Sequence, residues 1–162
     1  MQLISNGRIA KDTWIGLDDA DELPVQGDVI VSYERLQKDT AQLTARNGRI
    51  GVALENSVEP GELEAHLAHL DLIALNFPAF TDGRAYSQAR QLRMELGYEG
   101  ELRATGDVLA DQAGFLTQVG FDTFTVENDL SLDIWNKAAC SMTLAYQRGY
   151  DGDQKTRTAA PA

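Results

Sequence analysis

The chain has 162 residues, 43% of them apolar, with 14 lysines and arginines against 25 aspartates and glutamates, for a formal net charge of −11. That length and apolar share suit one globular domain with a full core. The acidic balance argues against binding nucleic acid or anionic membrane, and a single cysteine, Cys140, excludes an internal disulfide, a cysteine-built zinc site and an iron–sulfur cluster.

The opening MQLISNGRIAKDTW has neither a long apolar core nor a basic lead, so no signal peptide is expected. No run approaches the ~18 apolar residues of a membrane span, and the expected location is the cytoplasm. LISNGRIAKDTWIGL reads as an N-terminal hairpin turning at Asn6-Gly7, followed by a loop through ADELPVQGD. VIVS (29–32) is a strand, and YERLQKDTAQLTAR a helix ending near Asn47-Gly48. RIGVAL is the second strand of the run. PGELEAHLAHL, with Pro60 in the first turn, reads as helical. LDLIALNF is the third strand and 82–96 a helix. ELRAT is the fourth strand, DVLADQAGFLTQVG a helix and FDTFTV the fifth strand. SLDIWNKAACSM closes as a helix with Ser131 as its N-cap, and Cys140 on it reads as a small buried apolar residue.

Five strands each followed by a helical segment predict an α/β fold with a mainly parallel sheet of about five βα units. Apolar runs such as LIAL fit burial on both faces. The alternation leaves open whether the sheet is doubly wound or curls like part of a barrel, although five units cannot close an eight-unit barrel. The domain is expected to span 1–150, with 1–28 as hairpin and loop, and 151–162 to be a flexible tail. A sheet this small can hide an edge by forming a homo-oligomer.

Ligands of parallel α/β folds meet the loops at the carboxyl ends of strands. After the third strand, FPAFTDGR offers Asp82 as a helix cap, Gly83 for close approach, and Arg84 with helix amides as an anion pocket. Ala85, Ala89, Leu92 and Leu96 form the buried stripe of that helix, with Ser87 on the flank that carries Arg84. After the fourth strand, which carries Arg103, come Gly106, Asp107, Asp111 and Gln112. The four-residue step from Asp107 to Asp111 allows both carboxylates on one helix face. If the two strands are neighbours, the basic and acidic loops adjoin and can bind a small oxyanion, with Asp107 as an acid–base group. The alternative is structural: aspartates as caps, glycines as turn residues, and Arg90, Arg93 and Arg103 in internal ion pairs. His66 and His69 lie three apart, without further ligands for a metal. No dinucleotide or phosphate-loop glycine pattern is present, and no cofactor motif is visible.

Phe77-Pro78, Asp82-Gly83-Arg84, Tyr86-Ser87, Ala89-Arg90, Leu92-Arg93, Gly106-Asp107-Val108 and Asp111-Gln112 follow one another in an order that resembles the bacterial domain-of-unknown-function family 934. The resemblance continues upstream through DTW, an LP loop, GDVIV and RIGVAL. It implies a role near assimilatory sulfite reduction and cysteine biosynthesis, because such proteins tend to be encoded beside sulfite reductase and are described on that basis as oxidoreductases. Members of the family often carry Arg-Cys-Gly-Phe-Asp where this chain has Gln118-Val119-Gly120-Phe121-Asp122. A thiol at that position is therefore missing.

Two functions from different classes are expected. One is an accessory protein of sulfite reduction that docks onto the reductase or its electron donor. The other is a small anion-binding enzyme or sensor built on Asp82, Gly83, Arg84, Ser87, Arg103, Gly106, Asp111 and Gln112, with Asp107 as the acid–base group.

Overall fold

A computed structural model describes residues 1–79 and 81–141. Its eight strands are β1 (Gln2–Ser5), β2 (Arg8–Ala10), β3 (Ile15–Gly16), β4 (Val29–Ser32), β5 (Ile50–Leu54), β6 (Leu72–Phe77), β7 (Glu101–Gly106) and β8 (Thr123–Val126). They form one sheet in the order β2-β1-β8-β7-β6-β5-β4-β3. From β3 to β8 every neighbour is parallel, whereas β1 runs antiparallel to β8 and to β2.

The five expected strands are all present, as β4 to β8. The sheet as a whole is mixed, which corrects the mainly parallel, five-unit expectation. The hairpin is confined to Gln2–Ser5 and Arg8–Ala10 and joins the sheet as two antiparallel strands; Ile15-Gly16, expected within it, instead pairs parallel with β4 at the far edge. Strand order also decides between the two architectures left open. A doubly wound sheet reverses direction at a switch point, and here the order from β3 to β8 advances without reversal.

That order forces the sheet to curl. The four residues between β2 and β3 reach at most about 19 Å, yet a flat sheet would hold its two edge strands about 34 Å apart. The edges must therefore bend toward each other, and Lys11–Trp14 runs as a chord across the concave side. Its contacts mark the path: Asp12 bonds Arg103 on β7, and Trp14 lies against Gly51 on β5. The result is a half-barrel with its helices on the convex side.

Alternation along the strands separates the two faces. Val31, Val52, Ile73 and Leu102 form one row of the convex face, and Leu54, Leu75, Ala104, Phe124 and Ile4 the next. Both rows are buried in the main core. The helices α1 (Tyr33–Ala45), α2 (Arg84–Met94), α3 (Ala113–Val119) and α4 (Leu132–Ser141) pack there, with Ala85, Ala89, Leu92, Leu116 and Trp135 buried. On the concave face Arg103, Thr105, Thr123 and Asn76 take the alternate positions. Ala53, in mid-sheet, is exposed.

Several local expectations need correction. The segment 60–70 forms two 3-10 turns, Pro60–Leu63 and Leu67–His69, instead of one helix. Only Leu63 and Leu70 are fully buried there among the leucines, too narrow a stripe to stabilise a longer helix by packing. The segment 107–120 starts extended, since Leu109 has ψ 153°, and becomes helical only through a 3-10 turn at Ala110–Gln112 leading into α3. The turn at Asn6-Gly7 is as expected, with φ of 50° and 70° suiting a hairpin of right-handed twist. Cys140 is exposed instead of buried. It sits off the face of α4 on which Trp135, Ala138 and Ala139 turn inward. The expected tail 151–162 lies outside the described residues. Among the described residues, no helix is long and apolar enough to cross a membrane.

Candidate functional site

The carboxyl ends of β5, β6, β7 and β8 form one rim of the half-barrel. β6 and β7 are paired along their length, with Phe77 opposite Gly106, so the two loops singled out in the sequence leave the sheet side by side.

On the β6 loop Asp82 does most of the work. Gly83 occupies the N-cap position of α2, but the Asp82 carboxylate accepts the Arg84 amide at 3.1 Å and the Arg84 guanidinium at 2.7 Å. It also accepts the Asn56 amide at 2.7 Å from beyond β5. Helix amide and guanidinium would indeed suit an anion, and the chain fills that place with its own carboxylate. The Arg84 guanidinium beside it holds Asp82 down at about 2, from an ordinary 3.8. Arg84 remains 61% exposed, and Ser87 is exposed one turn further along α2. Gln88, on the same flank, is buried and donates to the carbonyls of Glu55 and Val58, tying α2 to the loop after β5.

On the β7 loop Gly106 has φ +89°, and a side chain there would meet the Phe77 carbonyl at 2.3 Å. This close approach lets the Asp107 amide donate to that carbonyl at 2.8 Å. Asp107 itself is exposed. The expected shared helix face for Asp107 and Asp111 is not formed, because residues 107–109 precede the helical turn. Asp111 instead lies near Tyr86 of α2, whose hydroxyl is pushed up first by burial and then by that carboxylate. The Tyr86 ring also packs on Phe77 and Phe115, at centroid distances of 5.0 Å and 4.8 Å. The Gln112 side chain accepts the Leu109 amide at 2.9 Å, a bond that shapes the loop.

Arg103 lies apart from both loops. It projects from mid-β7 onto the concave face, where it is buried. Asp12 of the chord binds it at 2.8 Å and Glu101 at 3.0 Å, and Thr123 links in by accepting from Arg103 and donating to Glu101 at 2.6 Å. Arg93 is likewise internal: it pairs with Asp122 at 2.6 Å and donates to the Gly120 carbonyl. Thus Asp82, Gly83, Arg84 and Ser87 gather at the start of α2. Gly106, Asp107, Asp111 and Gln112 gather on the next loop, and Arg103 joins neither group.

The rim also holds a hollow absent from the sequence reading. Between the loop after β7 and the loop after β8 lies a groove of about 580 Å³. Gly106 and Asp107 line it, together with Met1, Leu109, Leu130, Ile134, Glu127 and Asp129. The available signal was an apolar residue on the wrong side of an amphipathic helix. Ile134 is 60% exposed beside the buried Trp135.

Residues 51–156 match a family model described as "Bacterial protein of unknown function (DUF934)". The chain belongs to that family. The stretch matched to DUF934 begins in β5 and includes Asp82, Arg84, Arg103, Asp107 and the groove apart from Met1, whereas the chord with Asp12 and Trp14 precedes it. No curated protein and no solved structure matches the chain.

Proposed function

We propose that this DUF934 protein is an accessory of assimilatory sulfite reduction that acts in the cytoplasm, on the route to cysteine, by docking onto sulfite reductase or its electron donor. The pathway rests on the family resemblance and the gene association it implies. The docking mode rests on one observation: Arg84 and Arg103, the two arginines expected to bind an anion, are both held by the chain's own carboxylates, Arg84 by Asp82 at the rim and Arg103 by Asp12 and Glu101 on the concave face. Such a rim presents acid and apolar surface to the outside, which suits recognition of a partner better than capture of sulfite.

The test is copurification of the tagged full chain with sulfite reductase, together with the rate of sulfite reduction measured with and without it. Association that weakens with salt, or a change in rate, supports the reading. No association at micromolar concentrations and an unchanged rate would sink it. A small oxyanion is the second reading, favoured by the exposure of Arg84. Thermal stabilisation by sulfite or sulfate that Arg84→Ala removes would replace docking with anion binding, and with it a sensor or a small enzyme with Asp107 as acid–base group.

A further inference from the structure

We infer that the groove between the β7 and β8 loops takes a segment of a partner polypeptide in which leucine-type side chains alternate with lysine or arginine. The inference rests on the docking reading above and names the chemistry of its contact. Three observations lead to it. The hollow, about 580 Å³, lies at the carboxyl ends of parallel strands, where this architecture meets its ligands. Its apolar lining does not stay inside: Met1 is 64% exposed and Ile134 60%, so the apolar surface extends past the hollow and offers contact to something larger than a small molecule. Among the described residues that line it, the charged side chains, Asp107, Glu127 and Asp129, are all acidic.

These features divide the recognition between two kinds of contact. Leu109, Leu130 and Ile134 supply a floor for aliphatic side chains, worth most where water is fully displaced. Glu127 and Asp129, both exposed on the loop after β8, line the same hollow and attract cations, raising the rate of encounter and rejecting acidic partners. Neither contact suits a nucleotide or an oxyanion, whose charge has the wrong sign.

The test uses the full chain and a fluorescein-labelled peptide alternating leucine and lysine, followed by anisotropy at low and moderate salt. The Leu109→Ser/Ile134→Ser variant and the Glu127→Gln/Asp129→Asn variant are each expected to weaken binding about tenfold. A peptide with glutamate for lysine is expected not to bind. All four substituted side chains are exposed, so thermal melts of both variants should match the parent. Because the whole chain is acidic, the control is Glu64→Gln/Glu99→Gln, the same loss of charge at exposed sites away from the groove. Equal weakening by the control overturns the proposal, and so does binding that appears only after removal of residues 142–162. Sulfite reductase separates the two readings. If it binds the parent and the groove variants alike, the groove fails while docking stands. If it binds neither but the peptide results hold, the groove stands and the partner's identity fails.

Discussion

Asp12 and Arg103 are 91 positions apart in sequence and 2.8 Å apart in the fold. The pair fastens the chord to the concave face of the sheet. Asp12 is 41% exposed, whereas Arg103 is buried and also paired with Glu101, so the two partners should differ in what their removal costs. Asp12→Ala should lower stability by about 1 kcal/mol, at the scale of screened pairs. Arg103→Met, which strands the half-buried Glu101, should cost about 3 kcal/mol. Urea unfolding of both singles and the double variant measures their coupling, and zero coupling would show that the pair does not hold the chord.

Trp14 is the chord's second anchor. Gly51 has no side chain to keep the ring away, and a methyl group there would come within 3.2 Å of it. Arg49 adds its guanidinium over the ring, 4.7 Å from the centroid. Trp14→Ala should therefore cost about 2 kcal/mol through lost apolar contact and cation–π attraction. An unchanged urea midpoint would contradict the anchoring role.

Acid should loosen the start of α2 in a narrow window. Asp82 titrates at about 2 in the fold, against an ordinary 3.8. With the folded value depressed, the Asp82–Arg84 contribution is present above the ordinary value and fades as pH falls from about 4 toward 2. Asp82→Asn should flatten that part of the stability curve, and added salt should do the same to the parent, since the pair is open to solvent. Parent and variant curves that run parallel through this window would refute the assignment.

Gly106→Ala should be costly, by about 3 kcal/mol, because the new methyl group meets the Phe77 carbonyl at 2.3 Å in a left-handed conformation. Gly61→Ala, with open space at its site and no positive φ, should change stability by about 0.5 kcal/mol or less. Thermal melts of the two variants compare a required glycine with a dispensable one. Similar melting temperatures would contradict the role given to Gly106.

The five central strands could be read from sequence because β-branched and leucine runs such as VIVS and LIAL announce themselves locally, as does the Asn6-Gly7 turn. Ile15-Gly16 could not. Two residues carry no alternation, and their place at the far edge depends on the length of the chord. Arg103 could be seen on a strand, but its partner Asp12 lies too far away in sequence for any local pattern to supply it. The Asp82–Arg84 bond was within reach, two positions apart, yet the same residue types at a helix start also describe an anion pocket. The groove left one local sign, Ile134 on the outer side of α4. Leu109 becomes informative only when the loops after β7 and β8 meet around it.

Pairing of Ile4 with Phe124 joins the first strand of the chain to the last strand of the parallel run. On the ribosome the N-terminal hairpin emerges early but has no neighbour to join until β8 has been synthesised. Its closure is thus a late and slow event, governed by the distance along the chain between those strands. Until then β1 presents an open backbone edge, and a chain released before β8 is made would be prone to pair with itself.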